Sequence, residues 1–191
     1  MSAPFDLPPL RTETLDLLAR WTRVESVAGH AAGLRAMADL LVEHLTARLG
    51  ATIVADGLAL DPPVVHARID RGKGRRILLY NMYDVMPATA EGWSVAPFAG
   101  GIVDRPGLGP CFVGRGAENN KGPLAGMLVA LEALIAADAL DVDVEILIEG
   151  EEESGSHALW HYLGRPGTPV RPAVAALFPS FCEYGGGRPR V

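Results

Sequence analysis

Four short clusters carry the side chains able to do chemistry. The densest is Glu149-Gly150-Glu151-Glu152-Glu153-Ser154-Gly155-Ser156, with four carboxylates in five residues. Like charges crowded in a cleft raise one another's pKa, which suits a general acid or base. Asn81-Met82-Tyr83-Asp84, Glu118-Asn119-Asn120-Lys121 and Ser180-Phe181-Cys182-Glu183 are the other three. Asn119 and Asn120 open a predicted helix and would offer hydrogen bonds to a substrate carboxylate or amide. They read equally as an ordinary helix N-cap pair. Met82 reads equally as core filling at a strand end. His157 and His161 have the i, i+4 spacing of a metal pair but lack the Glu of a zincin motif, so they are expected on a helix surface. Cys182 is expected to be a buried thiol, with a nucleophile role left open.

The elements that must position these clusters follow from periodicity. Helical spacing of apolar residues covers residues 11–21 and 31–49, the second stopping at Gly50. Residues 51–55 and 64–69 read as strands, and 76–80 as a buried strand. A long Pro- and Gly-rich loop follows, of the kind that is usually functional. Then come a helix over about 122–139, a strand over 142–148, a helix from Ser154-Gly155-Ser156 to about Leu163, and a last strand over 174–178. Such alternation predicts an α/β sheet covered on both faces. Three of the clusters directly follow strands, where open α/β sheets hold their ligands. The fourth starts a helix, where the dipole favours anions.

Four motifs in order resemble the di-zinc amidohydrolase and exopeptidase family of carboxypeptidase G, aminoacylase, carnosinase, acetylornithine deacetylase and succinyl-diaminopimelate desuccinylase. Residues 79–87 (LYNMYDVMP) are similar to that family's LYGHYDVQP. Gly92-Trp93 with Pro97-Phe98 resembles its GW…PF. Residues 114–122 (GRGAENNKG) resemble GRGxxDDKG, and 149–156 are EGEEESGS itself. The resemblance runs over nearly the whole chain from about Leu10. It implies a three-layer zinc-exopeptidase-like catalytic domain, with a mostly parallel mixed sheet flanked by helices. Residues 1–187 would be its N-terminal portion and 188–191 the start of the connection to a lid or dimerisation domain that lies beyond Val191. The chain is then expected to be a fragment or one half of a split protein.

The resemblance also implies roles. Glu152 falls on the general base, Asp84 on the Asp two residues after the first His ligand, and Glu153 on a metal-ligand Glu. That first His falls on Met82, the metal-bridging Asp on Asn119, and a later ligand Asp near Ser180. Of these four ligand positions only Glu153 keeps its type. Zn²⁺ takes Cys, His and carboxylate ligands, about three per ion at catalytic sites. A thioether, a neutral amide and a hydroxyl leave one anionic ligand where the family has three, so a di-zinc centre is not expected.

The expectation is an enzyme of amide or peptide chemistry on a small amino-acid-derived substrate, with a degenerate, metal-free site. Glu152 would be the acid/base, Asp84 and Glu153 supporting carboxylates, and Asn119 and Asn120 substrate contacts. Two alternatives stand beside it. One is a hydrolase with a single atypical metal, Cys182 or Glu183 joining Glu153. The other is a non-catalytic relative that binds a small ligand or a partner subunit. A homodimer mate or a second chain is expected to supply the lid and the remaining site residues.

Composition fits this reading. The 191 residues are enough for one domain, and with 49% hydrophobic and 21% charged they are ordinary for a globular protein. A net charge of -6, from 17 Lys+Arg against 23 Asp+Glu, with scattered basic residues, argues against nucleic acid or an anionic membrane as partner. The two cysteines are far apart, which predicts a reducing, cytoplasmic setting. No basic-then-apolar leader opens the sequence.

Overall fold

The computed structural model describes residues 7–180, with side chains from residue 11 onward. The element order is α1 (Leu7–Thr22), α2 (Ala31–Leu49), β1 (Thr52–Val54), α3 (Ala55–Leu58), β2 (Val65–Ile69), β3 (Arg76–Met82), β4 (Gly101–Arg105), β5 (Gly109–Val113), α4 (Lys121–Ala136), β6 (Asp143–Glu149), a 3₁₀ turn (Glu152–Ser154), α5 (His157–Gly164) and β7 (Ala175–Leu177). The expected helices and strands are present, with ends shifted by a few residues. Gly50 ends α2 in the left-handed region at φ 60°, and its N–H bonds back to the Leu45 carbonyl.

Five strands form one mixed sheet in the order β1-β2-β6-β3-β7. β3 runs parallel to β6 and to β7, while β1 and β2 are antiparallel additions at the other edge. β6 is buried along its whole length, and its alternating side chains divide the interior. Val144, Ile146 and Ile148 join the larger core with Trp21, Met37, Leu41, Leu45, Leu124 and Leu128 from α1, α2 and α4. Leu147 faces the other way, into a smaller core with Val64 and with Leu159 and Tyr162 of α5. The sheet is therefore flanked by helices on both faces. Burying these side chains contributes about 1.5–3 kcal/mol for each large aliphatic or aromatic group.

The Pro- and Gly-rich stretch after β3 was expected to be loop throughout, but it contains a hairpin. β4 and β5 pair antiparallel from Gly101↔Val113 to Arg105↔Gly109. Its residues are at most half-buried, with Ile102 59% exposed. A hairpin that covers no core lacks the clean apolar alternation that marks a strand in sequence. The boundary at 187/188, Cys182 and Glu183 lie outside the described residues.

Candidate functional site at the strand ends

β3 and β6 end side by side, with Met82 paired to Glu149. Everything that follows each strand turns toward the other. The Tyr83 N–H donates to the Glu149 carbonyl at 2.8 Å, and the Tyr83 hydroxyl donates to the Pro63 carbonyl at 2.7 Å. Gly150 passes directly over the Tyr83 ring, and a Cβ at 150 would land on it. Only glycine permits that approach, so the Glu151–Glu153 turn sits against the end of β3.

Asp84 ties the two segments together. Its side chain is fully buried. Oδ1 accepts the Glu152 backbone N–H at 3.2 Å and Oδ2 the Glu153 N–H at 3.0 Å. Burial pushes its carboxyl up to about 7. The two N–H bonds oppose the rise, and the nearby Glu149 charge adds to it.

The four glutamates have separate tasks. Glu149 is 1% exposed and accepts the Tyr80 hydroxyl at 2.5 Å and the Ser156 hydroxyl at 2.9 Å on Oε1. Glu151 accepts the Ala158 N–H at 2.7 Å and so caps the start of α5. Glu152 and Glu153 are half-buried, and neither carboxylate has a hydrogen-bond partner among the described residues. Burial raises the carboxyls of Glu149 and Glu153 above the ordinary range, and the Glu152 charge adds to both. Mutual repulsion, the cause expected from the sequence, is thus secondary to desolvation.

The other side of the cluster is neutral. Met82 is 2% exposed at the end of β3. Asn119 and Asn120 are joined by a cis peptide bond, and Asn120 stands at the N-cap position of α4. Its side chain makes no capping bond. Instead Asn120 Nδ2 donates to Asn81 Oδ1 at 2.5 Å. Asn81 Oδ1 also accepts the Met82 N–H, and Asn81 Nδ2 donates to the Pro179 carbonyl at 2.9 Å. Ser180 follows directly. The starts and ends of β3, α4 and β7 therefore meet through two amides.

Residue types alone gave Asn81 no role within its cluster and did not single out Tyr80 or Arg115. Asn81 stands where the quoted family motif has Gly, and that departure was a usable signal. The Arg115 guanidinium lies 5.2 Å from the centre of the Trp93 ring and its charge draws the Glu153 carboxyl down, while the Arg115 backbone N–H donates to the Pro97 carbonyl at 2.7 Å. The Gly92-Trp93 and Pro97 landmark thus reaches the site through Arg115.

Lys121 is buried beneath. Its ammonium donates to the Trp21 and Val24 carbonyls at 3.0 and 2.7 Å, tying α4 to the end of α1. Burial brings its pKa down to about 7. His157 and His161 are exposed on α5, as expected of a surface pair.

Comparison with known proteins identifies the family. Residues 78–185, more than half of the chain, match the family described as Peptidase family M20/M25/M40. The chain belongs to this family. It is 38% identical over 136 residues to the Cys-Gly metallodipeptidase dug1 of Schizosaccharomyces pombe, covering 64% of this chain and 27% of that protein. It is 38% identical over 116 residues to human Beta-Ala-His dipeptidase, covering 58% of this chain and 22% of that one. Among solved structures, an M20 family metallo-carboxypeptidase, Sso-CP2 from Sulfolobus solfataricus, superposes with a TM-score of 0.78 at 31% identity, over 89% of this chain and 38% of that one. Human carnosine dipeptidase 1 gives 0.70 at 29%, over 82% and 36%. The chain spans about a quarter of the length of the curated relatives it matches.

Family relatives named as metallopeptidases raise the question of a metal here. Among the described residues no group of three or more His, Cys, Asp or Glu is placed to hold an ion. The donors at the positions assigned by resemblance are a thioether (Met82), a neutral amide (Asn119), a hydroxyl (Ser180) and one carboxylate (Glu153). That set does not fit two Zn²⁺ ions.

Proposed function

We propose that this chain carries the carboxylate half of a peptide- or amide-hydrolase site for small amino-acid-derived substrates, at the ends of β3 and β6. The observation that carries the reading is the pair Glu152 and Glu153. Asp84 clamps their backbone, and their carboxylates are uncommitted among the described residues. A rigid backbone under an unpaired carboxylate is what a proton shuttle needs. In this reading Glu152 takes a proton from the attacking water and returns it to the leaving amine. Glu153, with Arg115 beside it, sets the local charge. Asp84, fully buried, acts through the backbone as a positioning residue. Asn119 and Asn120 contact the substrate. The names of the relatives, which are dipeptidases, support a short substrate.

No step is assigned to zinc, because the donor set does not match it. A reducing, cytoplasmic setting suits Cys111, a free thiol. No helix among the described residues is long and apolar enough to cross a membrane.

A second reading is favoured by the neutral residues at 82, 119 and 180: a relative that binds small ligands without turning them over. Assay of the purified chain against Cys-Gly and β-Ala-His, with and without added Zn²⁺, separates the two. The hydrolase reading expects turnover without added metal and a loss of roughly 10²-fold or more in Glu152→Gln. Absence of turnover under every condition, or a fully active Glu152→Gln, overturns it.

A further inference from the structure

The amide cluster at Asn81 and Asn120 has a polarity that backbone groups fix. The Met82 N–H is a donor, so the Asn81 atom facing it at 2.8 Å is Oδ1. The Pro179 carbonyl is an acceptor, so the Asn81 atom facing it is Nδ2. The Asn120 atom that meets Asn81 Oδ1 must then be its Nδ2, which also lies 3.5 Å from the Pro179 carbonyl. Both donors of Asn120 are spent. Its Oδ1 is left over, on a side chain that is 0% exposed, with no donor among the described residues. Among the described residues Asn119 Oδ1, Glu149 Oε2 and the Ser180 hydroxyl, which can accept as well as donate, are likewise buried without a partner. Orphaned acceptors in native structures call for a donor.

The surrounding charge narrows what that donor is. Asp84, Glu149, Glu152 and Glu153 are acidic. Of the nearby bases, Lys121 turns its ammonium away to the ends of α1, and Arg115 is stacked on Trp93. An anionic ligand would meet no unspent N–H from Asn120. A primary ammonium carries three N–H donors and one positive charge, which matches both the acceptors and the field.

We infer that Asn119, Asn120 and Ser180 form a subsite for a primary ammonium group, whether of a peptide's free amino terminus or of a small amine, in the position where the family resemblance puts metal ligands. The subsite rests on the proposed function for its location at the strand ends, and its test reads binding apart from turnover.

The intact chain is titrated with glycinamide, with N-acetylglycinamide and with methylamine, followed by calorimetry and by NMR of the asparagine side-chain amides. Glycinamide is expected to bind and to shift the Asn81 and Asn120 amide signals, and N-acetylation to weaken it roughly tenfold or more. Binding by methylamine assigns the subsite to the ammonium alone, whereas its failure beside glycinamide assigns it to an amino terminus. Asn120→Leu should abolish binding. Because that core change can disturb folding, the half-buried Asn119→Ala and Ser180→Ala, with unchanged circular dichroism, should each lose several-fold. Equal binding of the acetylated probe, or full binding by both alanine variants, overturns the inference. Tight Zn²⁺ uptake that shifts the same amide signals also overturns it, in favour of a metal. Binding of glycinamide without hydrolysis of any dipeptide retains the subsite and removes the hydrolase. Hydrolysis that ignores N-acetylation does the reverse.

Discussion

Glu145 and Glu149 lie four residues apart on β6 and point to the same face of the sheet, and both are buried, at 0% and 1% exposure. Their surroundings are opposite. Glu145 accepts from His66 Nε2 at 2.6 Å, Arg171 Nε at 2.8 Å and Arg68 Nε at 3.2 Å, with Arg76 3.7 Å away. Burial works against its charge, but the bonds from Arg171, His66 and Arg68 outweigh it and hold the carboxyl below the ordinary range. Glu149 has two hydroxyls and a set of acidic neighbours, and burial pushes it above that range. The mid-strand glutamate is compensated from every side and serves structure. The strand-end glutamate is under-compensated, as a site for proton transfer or cation binding requires. Burial alone would not tell the two apart. The partners do.

The largest effect that sharpens this contrast comes from deleting each carboxylate. Glu145→Ala strips fully buried His66 of its Nε2 partner and takes a shared carboxylate from Arg68, Arg76 and Arg171, which are 22–27% exposed, and should cost about 2–3 kcal/mol of unfolding free energy in urea. Glu149→Gln keeps an acceptor for Tyr80 and Ser156 and should cost about 1 kcal/mol or less. Equal losses would remove the contrast.

The next effect is steric. Gly150→Ala drives a methyl into the Tyr83 ring and strains the bond from its hydroxyl to Pro63. Overpacking of this kind costs about 1–3 kcal/mol. Differential scanning calorimetry should show the loss, and hydrolysis or ligand binding at Glu152 should fall with it.

The pH dependence separates the strand end from the structure beneath it. Asp84 releases its proton near 3.8 when unfolded and near 7 when folded. Its contribution to stability is therefore full below about 3.8 and is lost as pH rises to about 7. Lys121 is lowered to about 7 from 10.5, so the unfolded chain binds the extra proton between those values and stability rises with pH there. Asp84→Asn should flatten the acid limb of a stability–pH curve and Lys121→Met the alkaline limb. The smallest effect is expected at His157→Ala and His161→Ala on the exposed face of α5, within about 0.5 kcal/mol and with no change in metal content.

Much of this was legible in the residues. Apolar spacing in α2 and the run in β6 located the elements to within a few positions, because those elements bury a face. The β4–β5 hairpin escaped because it buries almost none. Of the candidate site, Glu152, Glu153 and Asp84 were picked out by motif order, and Asp84 accepts the backbone N–H of the other two. What the pattern did not carry was the division of labour among the glutamates. Glu151 is a helix cap, and nothing in its type distinguishes it from Glu152. Asn81 was named in a cluster but given no role, because that role depends on Asn120 and Pro179, which are distant in sequence and adjacent only in the fold.

The difference between the two buried glutamates can be measured directly. Side-chain ¹³C-carboxyl NMR of glutamate-labelled protein, assigned with Glu145→Gln and Glu149→Gln, follows both through a pH titration. Glu149 should titrate above an ordinary glutamate and Glu145 below it. If both titrate together, or in the reverse order, the strand end is no more primed for proton transfer than the middle of the sheet, and the account of the site fails.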